Sequence, residues 1–128
     1  MTMAYWCILA AAFLPYLWIV IAKRSGERYD NRDPRGWLAR QQDPAVVRAN
    51  AAQMNAFEAF APFAAGVLMA QFAGVDAGLV SMLALAFVGF RVLHGIAYLR
   101  GWHYLRSALW AGGYLCVLAL MVMAAGAI

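Results

Sequence analysis

Residues 4–24 read AYWCILAAAFLPYLWIVIAKR: an uninterrupted apolar run closed by Lys23-Arg24. A bilayer's hydrocarbon core of about 30 Å is crossed by roughly 20 helical residues. The run therefore has the length and polarity of a transmembrane helix. A secretory leader carries its positive charges before the apolar stretch. Here they follow it, so the segment reads as a retained span. Pro15 inside it predicts a kink, which membrane helices tolerate.

Working outward from Arg24, the chain turns polar and rich in Arg, Asp and Gly, and residues 25–42 read as a loop. Asp43-Pro44 is a helix start, with Asp as N-cap and Pro at the first helical position. The second helix is expected over about 44–73, polar in its first third and then apolar except for Glu58. A short turn at 74–78 leads to a third helix over about 79–99, carrying Arg91 and His94. A turn at 100–102 precedes the last helix, about 104–126. The expected fold is an all-α, integral membrane four-helix bundle, one domain over residues 1–128.

Composition supports this class. Hydrophobic residues make up 66% of the 128 and charged residues 12%, against about 45–50% and 25% in soluble domains. A disordered chain and a small water-soluble domain are both excluded. Eleven of the sixteen charged residues lie between Lys23 and Arg48. The net charge of +4 sits beside apolar spans and lacks the patterning of a nucleic-acid reader, so no nucleic-acid partner is expected. The Lys/Arg count places the first and third loops in the cytoplasm and both termini outside. Cys7 and Cys116 lie within apolar runs, and no Cys/His spacing suggests a metal or a disulfide framework.

The polar residues inside the spans carry the information, because ionisable groups in lipid are costly. At 100° per residue, Arg48, Asn55 and Glu58 form one stripe of the second helix, and Arg91, His94 and Tyr98 one stripe of the third. Arg106-Ser107 begins the fourth span. Arg91 is the deepest cation and Glu58 the carboxylate at comparable depth, so a Glu58–Arg91 pair is expected. Two roles fit these stripes: interhelical glue, or a site for a small zwitterionic, multiply anionic molecule near the cytoplasmic face. In the second case Glu58 would take an ammonium and the arginines carboxylates.

The segments Asp43-Pro44 to Arg48, Asn55-Ala-Phe-Glu58 and Ala61-Pro62-Phe63 resemble the second helix of the MAPEG family, the membrane-associated proteins in eicosanoid and glutathione metabolism. Arg91-Val-Leu-His94-Gly-Ile-Ala-Tyr98, followed by Arg106-Ser107, is similar to the later helices of its microsomal glutathione transferase and prostaglandin E synthase members. The short chain looks like the bacterial branch. The resemblance implies a homotrimer in the inner membrane that binds glutathione, as co-substrate, between subunits near the cytoplasmic side. It implies Asn55, Glu58, His94 and Tyr98 as glutathione contacts, with Lys23 or Arg24 on a carboxylate. Arg106, helped by Ser107, would be catalytic at the thiol, and Arg48 and Arg91 structural. Three positions depart from the pattern: Met54 replaces a common basic residue, Trp110 a common tyrosine, and Ala51 a more polar residue. Two readings follow. One is a glutathione-dependent transferase or peroxidase acting on lipophilic electrophiles. The other is a non-catalytic trimeric membrane protein, a lipid-binding or assembly subunit, that retains the fold. Met54 and Trp110 favour the second reading; Glu58, His94, Tyr98 and Arg106 favour the first.

Overall fold

The computed structural model describes residues 1–127, which form five helices and, among the described residues, no strand. They are α1 (Thr2–Arg24), α2 (Pro34–Arg40), α3 (Pro44–Phe72), α4 (Ala77–Arg100) and α5 (His103–Ala127). Three of them, α1, α4 and α5, are long and apolar enough to cross a membrane. The 29-residue α3 is diluted by its polar first third.

The helix starts are written locally. The Asp43 side chain accepts from the Ala45 N–H at 2.9 Å, and Asp76 accepts from Leu79 N–H at 2.9 Å. Each such cap stabilises its helix by about 1 kcal/mol. The same device corrects the expected loop over 25–42. Asp33 accepts from Gly36 N–H at 3.2 Å with Pro34 behind it, and the two-turn α2 follows. Its Trp37 is buried against Ile19, Ala22, Val46 and Ala49. The Trp37 indole N–H donates to the Arg28 carbonyl at 2.9 Å, and the buried Gln41 amide donates to the Trp37 carbonyl at 3.0 Å. The polar segment is thereby folded onto one end of the bundle.

The four long helices pack with α3 and α4 on the short diagonal. These two touch each other, and each touches α1 and α5, while α1 and α5 do not meet. Phe63 and Phe87 stack at the α3/α4 contact with ring centroids 3.9 Å apart. Small residues permit the close approach that membrane helices rely on. A Cβ placed on Gly95 would fall 2.0 Å from the Trp18 ring, so the indole lies on the backbone of α4. At the end of α4, Gly101 takes the left-handed conformation (φ 73) that ends helices readily when side-chain-free. Arg48 closes this corner: its Nε donates to the Leu99 carbonyl at 3.1 Å. A cation on the last carbonyls complements the helix dipole.

Candidate functional site

The antiparallel α4 and α5 bring the last turns of one beside the first turns of the other. His94 and Tyr98, one turn apart, share a face of α4. Opposite stand Arg106, Ser107 and Trp110 of α5, with Asn55 of α3 as floor, around a pocket of about 210 Å³. The Arg106 guanidinium lies over the Tyr98 ring, 4.6 Å from its centroid. Tyr98 in turn meets His94 edge-on at 5.6 Å. His94 is only 2% exposed, and its Nδ1 is buried without a hydrogen-bond partner. Burying a polar atom unpaired is unfavourable, and here it happens at the wall of a pocket. Arg106 has no carboxylate partner among the described residues. The ion pairs among the described residues are Arg32–Asp30 and Arg40–Asp33, both around α2.

Ser107 lines the same pocket, but its hydroxyl donates to the His103 carbonyl one turn back, at 3.0 Å. To donate to a ligand it must give up that bond.

Deeper in the bundle a second pocket of about 150 Å³ lies between α3, α4 and α5, bounded by Glu58, Pro62, Phe87, Arg91, Tyr114 and Val117. Asn55 and Trp110 belong to both pockets. Arg91 is 4% exposed, and its Nη2 donates to Asn55 Oδ1 at 2.7 Å. This corrects the expected Glu58–Arg91 pair. Three residues along a helix turn a side chain by about 60°, enough to put Asn55 on the guanidinium and leave Glu58 exposed on the flank of α3. A charge-assisted hydrogen bond to a neutral amide satisfies Arg91 where the ion pair was anticipated.

The remaining residues singled out in the sequence fall outside the pockets. Arg48 holds the end of α4, as a structural residue would. Lys23 lies over the Tyr29 ring, 4.4 Å from its centroid. Arg24 is exposed in the last turn of α1. No cluster of metal-binding side chains occurs among the described residues.

Arg91 and His94 are buried between long apolar helices, with Asn55 and Tyr98 half-buried beside them and Glu58 exposed on α3. The model of the MAPEG family covers residues 3–126. The chain belongs to the MAPEG family. No curated protein and no solved structure matches it. With its three long apolar helices, this MAPEG protein is an integral membrane protein. Members of the family commonly use glutathione.

One residue of this MAPEG protein's site was undervalued by sequence reading. Trp110 reads as a departure from the family pattern; in the structure it borders both pockets. Its signal was the spacing from Arg106, four residues, which puts the two on one helical face.

Proposed function

We propose that the protein is a membrane-embedded, glutathione-dependent transferase or peroxidase acting on lipophilic electrophiles. The observation that carries this reading is the donor pocket itself: Arg106, with no carboxylate partner among the described residues, lines one cavity with His94 and Tyr98. That set suits a small anionic ligand. Small-molecule sites usually offer about 300–1,000 Å³, and the 210 Å³ of one protomer falls short. Glu58 stands exposed on α3, in a helix otherwise flanked by apolar spans. Both features fit a homotrimer in which a neighbouring subunit completes the glutathione site and covers the carboxylate.

In this reading α1, α3, α4 and α5 span the bacterial inner membrane, with α2 and both basic loops in the cytoplasm. Asn55, Glu58, His94 and Tyr98 hold the tripeptide, and Arg24 meets a carboxylate from the end of α1. Arg106 favours the thiolate over the thiol, as a nearby cation does, and Ser107 assists once it leaves its backbone bond. Glutathione supplies the sulfur nucleophile. Its thiol proton passes to water, the new carbon–sulfur bond forms, and the acceptor's leaving group departs with its bonding pair.

A second reading, a trimeric membrane protein without chemistry, is favoured by the engaged Ser107 hydroxyl and by an indole, lacking any hydroxyl, at position 110. Two measurements on the purified protein in nanodiscs separate them: calorimetric titration with glutathione, and conjugation of glutathione to 1-chloro-2,4-dinitrobenzene. Binding with turnover supports the enzyme. Binding without turnover favours the second reading, and no binding overturns the glutathione site.

A further inference from the structure

The segment from Lys23 to Arg48 carries seven basic and four acidic residues. Two of the acids, Asp30 and Asp33, are paired with Arg32 and Arg40. Arg35 is exposed and has no carboxylate partner among the described residues. It stands at the edge of a cleft of about 570 Å³ that opens between α2 and α3. This cleft shares no lining residue with the two pockets between α3, α4 and α5.

The walls of the cleft change character along α3. Asn50 and Gln53 line it where the helix is still polar, and Met54 and Phe57 where it has become apolar. From Asn50 to Phe57 the helix rises about 10 Å. Gln53 Nε2 donates to Asn50 Oδ1 at 3.1 Å, and the Asn50 N–H donors have no partner among the described residues. Met54 is 55% and Phe57 46% exposed. Tyr16 of α1 braces Phe57 edge-on, with centroids 5.7 Å apart. From α2, Leu38 adds a further apolar contact beside Arg35.

A cation, then amide donors, then apolar side chains is the order in which a phospholipid presents its phosphate, its ester oxygens and its acyl chains. The height is right as well, because α2 follows the end of the α1 span at Arg24. Basic clusters next to a span attract anionic lipid, and the surplus of arginines disfavours a headgroup that carries an ammonium.

We propose that the α2/α3 cleft binds an anionic phospholipid. Its phosphate lies on Arg35, its ester oxygens meet the amides of Asn50 and Gln53, and an acyl chain runs over Met54 and Phe57.

The test is native mass spectrometry of the detergent-purified protein, titrated separately with phosphatidylglycerol and phosphatidylcholine of identical chains. One basic residue near an anionic headgroup corresponds to roughly a fivefold preference. The wild type should therefore hold its first phosphatidylglycerol about fivefold more tightly than phosphatidylcholine. Arg35→Gln should remove that preference, and Arg35→Lys should keep it, since lysine meets a phosphate as a point charge. Arg28→Gln alters an exposed arginine of the same segment outside the cleft and should keep it too. Excess inorganic phosphate, which has the charge without the chains, should not displace the lipid. Equal affinity for the two lipids overturns the proposal, and is the result expected if a neighbouring subunit fills the cleft. Equal losses in Arg28→Gln and Arg35→Gln would mean a diffuse basic surface, and displacement by phosphate a simple ion site; either overturns it. If Arg35→Gln does not fold, the wild-type comparison, Arg28→Gln and the phosphate competition decide. None of these readouts involves glutathione, so the lipid site stands or falls separately from the transferase reading.

Discussion

The two ends of the bundle are built differently. At the α2 end three helix termini and the loop between α1 and α3 are tied. Asp33 and Asp43 cap two helices, Arg48 joins α3 to the last carbonyls of α4, and Trp37 and Gln41 stitch the loop to the bundle. At the opposite end Asp76 caps α4 and the Tyr5 hydroxyl meets Gln71. The rest is apolar, to the point that Phe72 is 99% exposed. A shallow groove between Leu68, Met69, Ala124 and Ala125 is likewise nearly free of polar atoms. The donor pocket lies on the tied side. Directional chemistry needs donors held in place by their surroundings, whereas lipid contact needs only area. The contrast predicts where substitutions will matter.

The largest effect is expected at Arg106. Arg106→Lys keeps the charge and loses the planar fork of donors. If the tied end stabilises a thiolate, glutathione conjugation should fall by about a hundredfold to a thousandfold, equivalent to roughly 2.7–4 kcal/mol, with insertion and melting unchanged. Equal rates would reduce Arg106 to an interface anchor stacked on Tyr98.

Next comes the Arg91–Asn55 bond between the two pockets. Asn55→Leu leaves the buried guanidinium without its acceptor. Hydrogen bonds to charged groups contribute about 1.5–3 kcal/mol, and thermal unfolding in detergent should register a loss of that order. Glu58→Gln, on the exposed flank, should leave the unfolding of the isolated protomer nearly unchanged while weakening glutathione binding. A protomer as destabilised by Glu58→Gln as by Asn55→Leu would restore the ion pair.

A pair of glycines on α4 sharpens the comparison between packed and open surface. Gly95→Ala drives a methyl group into the Trp18 ring, and overpacking of this kind costs about 1–3 kcal/mol. Gly89→Ala meets nothing within 4 Å and should be neutral or stabilise by up to about 1 kcal/mol through helix propensity. Equal melting shifts would mean that the α1/α4 contact is looser than the structure has it.

The smallest effect concerns pH. Hydrogen bonds from Arg32 hold the Asp30 carboxyl below the usual carboxylate range. Because the folded value is the lower one, the contribution is present above the unfolded pKa of about 3.9 and fades as pH drops through the folded value. Pepsin should nick the loop around residues 28–33 more readily as the medium is acidified below about pH 4. In Asp30→Asn that acid dependence should disappear.

The membrane architecture was legible because the apolar runs of α1, α4 and α5 have bilayer length, and because Asp43-Pro44 announces α3. Asp33-Pro34 carries the same announcement for α2, yet seven residues offer too little periodicity to overrule a polar composition. The row Arg91, His94, Tyr98 was readable from helical spacing alone, and its meeting with Arg106 follows from a tight α4–α5 turn. Which of Asn55 and Glu58 reaches Arg91 was not readable. That depends on the rotation of α3 about its own axis, set by the packing of Phe63, Val67 and Ala70 against the neighbouring helices. Trp110 was visible as a residue but not as a partition, since two cavities have to be seen before a wall between them exists.

The indole of Trp18 pressed on Gly95 has a spectroscopic consequence. Trp18 is buried between helices, whereas Trp6, Trp102 and Trp110 face the surroundings and Trp37 sits in the loop cluster. Gly95 is the neighbour of His94 in the chain, so a backbone shift at that histidine on ligand arrival would alter the surroundings of the chromophore. Comparing the emission of the protein with that of Trp18→Phe would isolate the signal of this indole, an intrinsic optical gauge of pocket occupancy needing no attached dye.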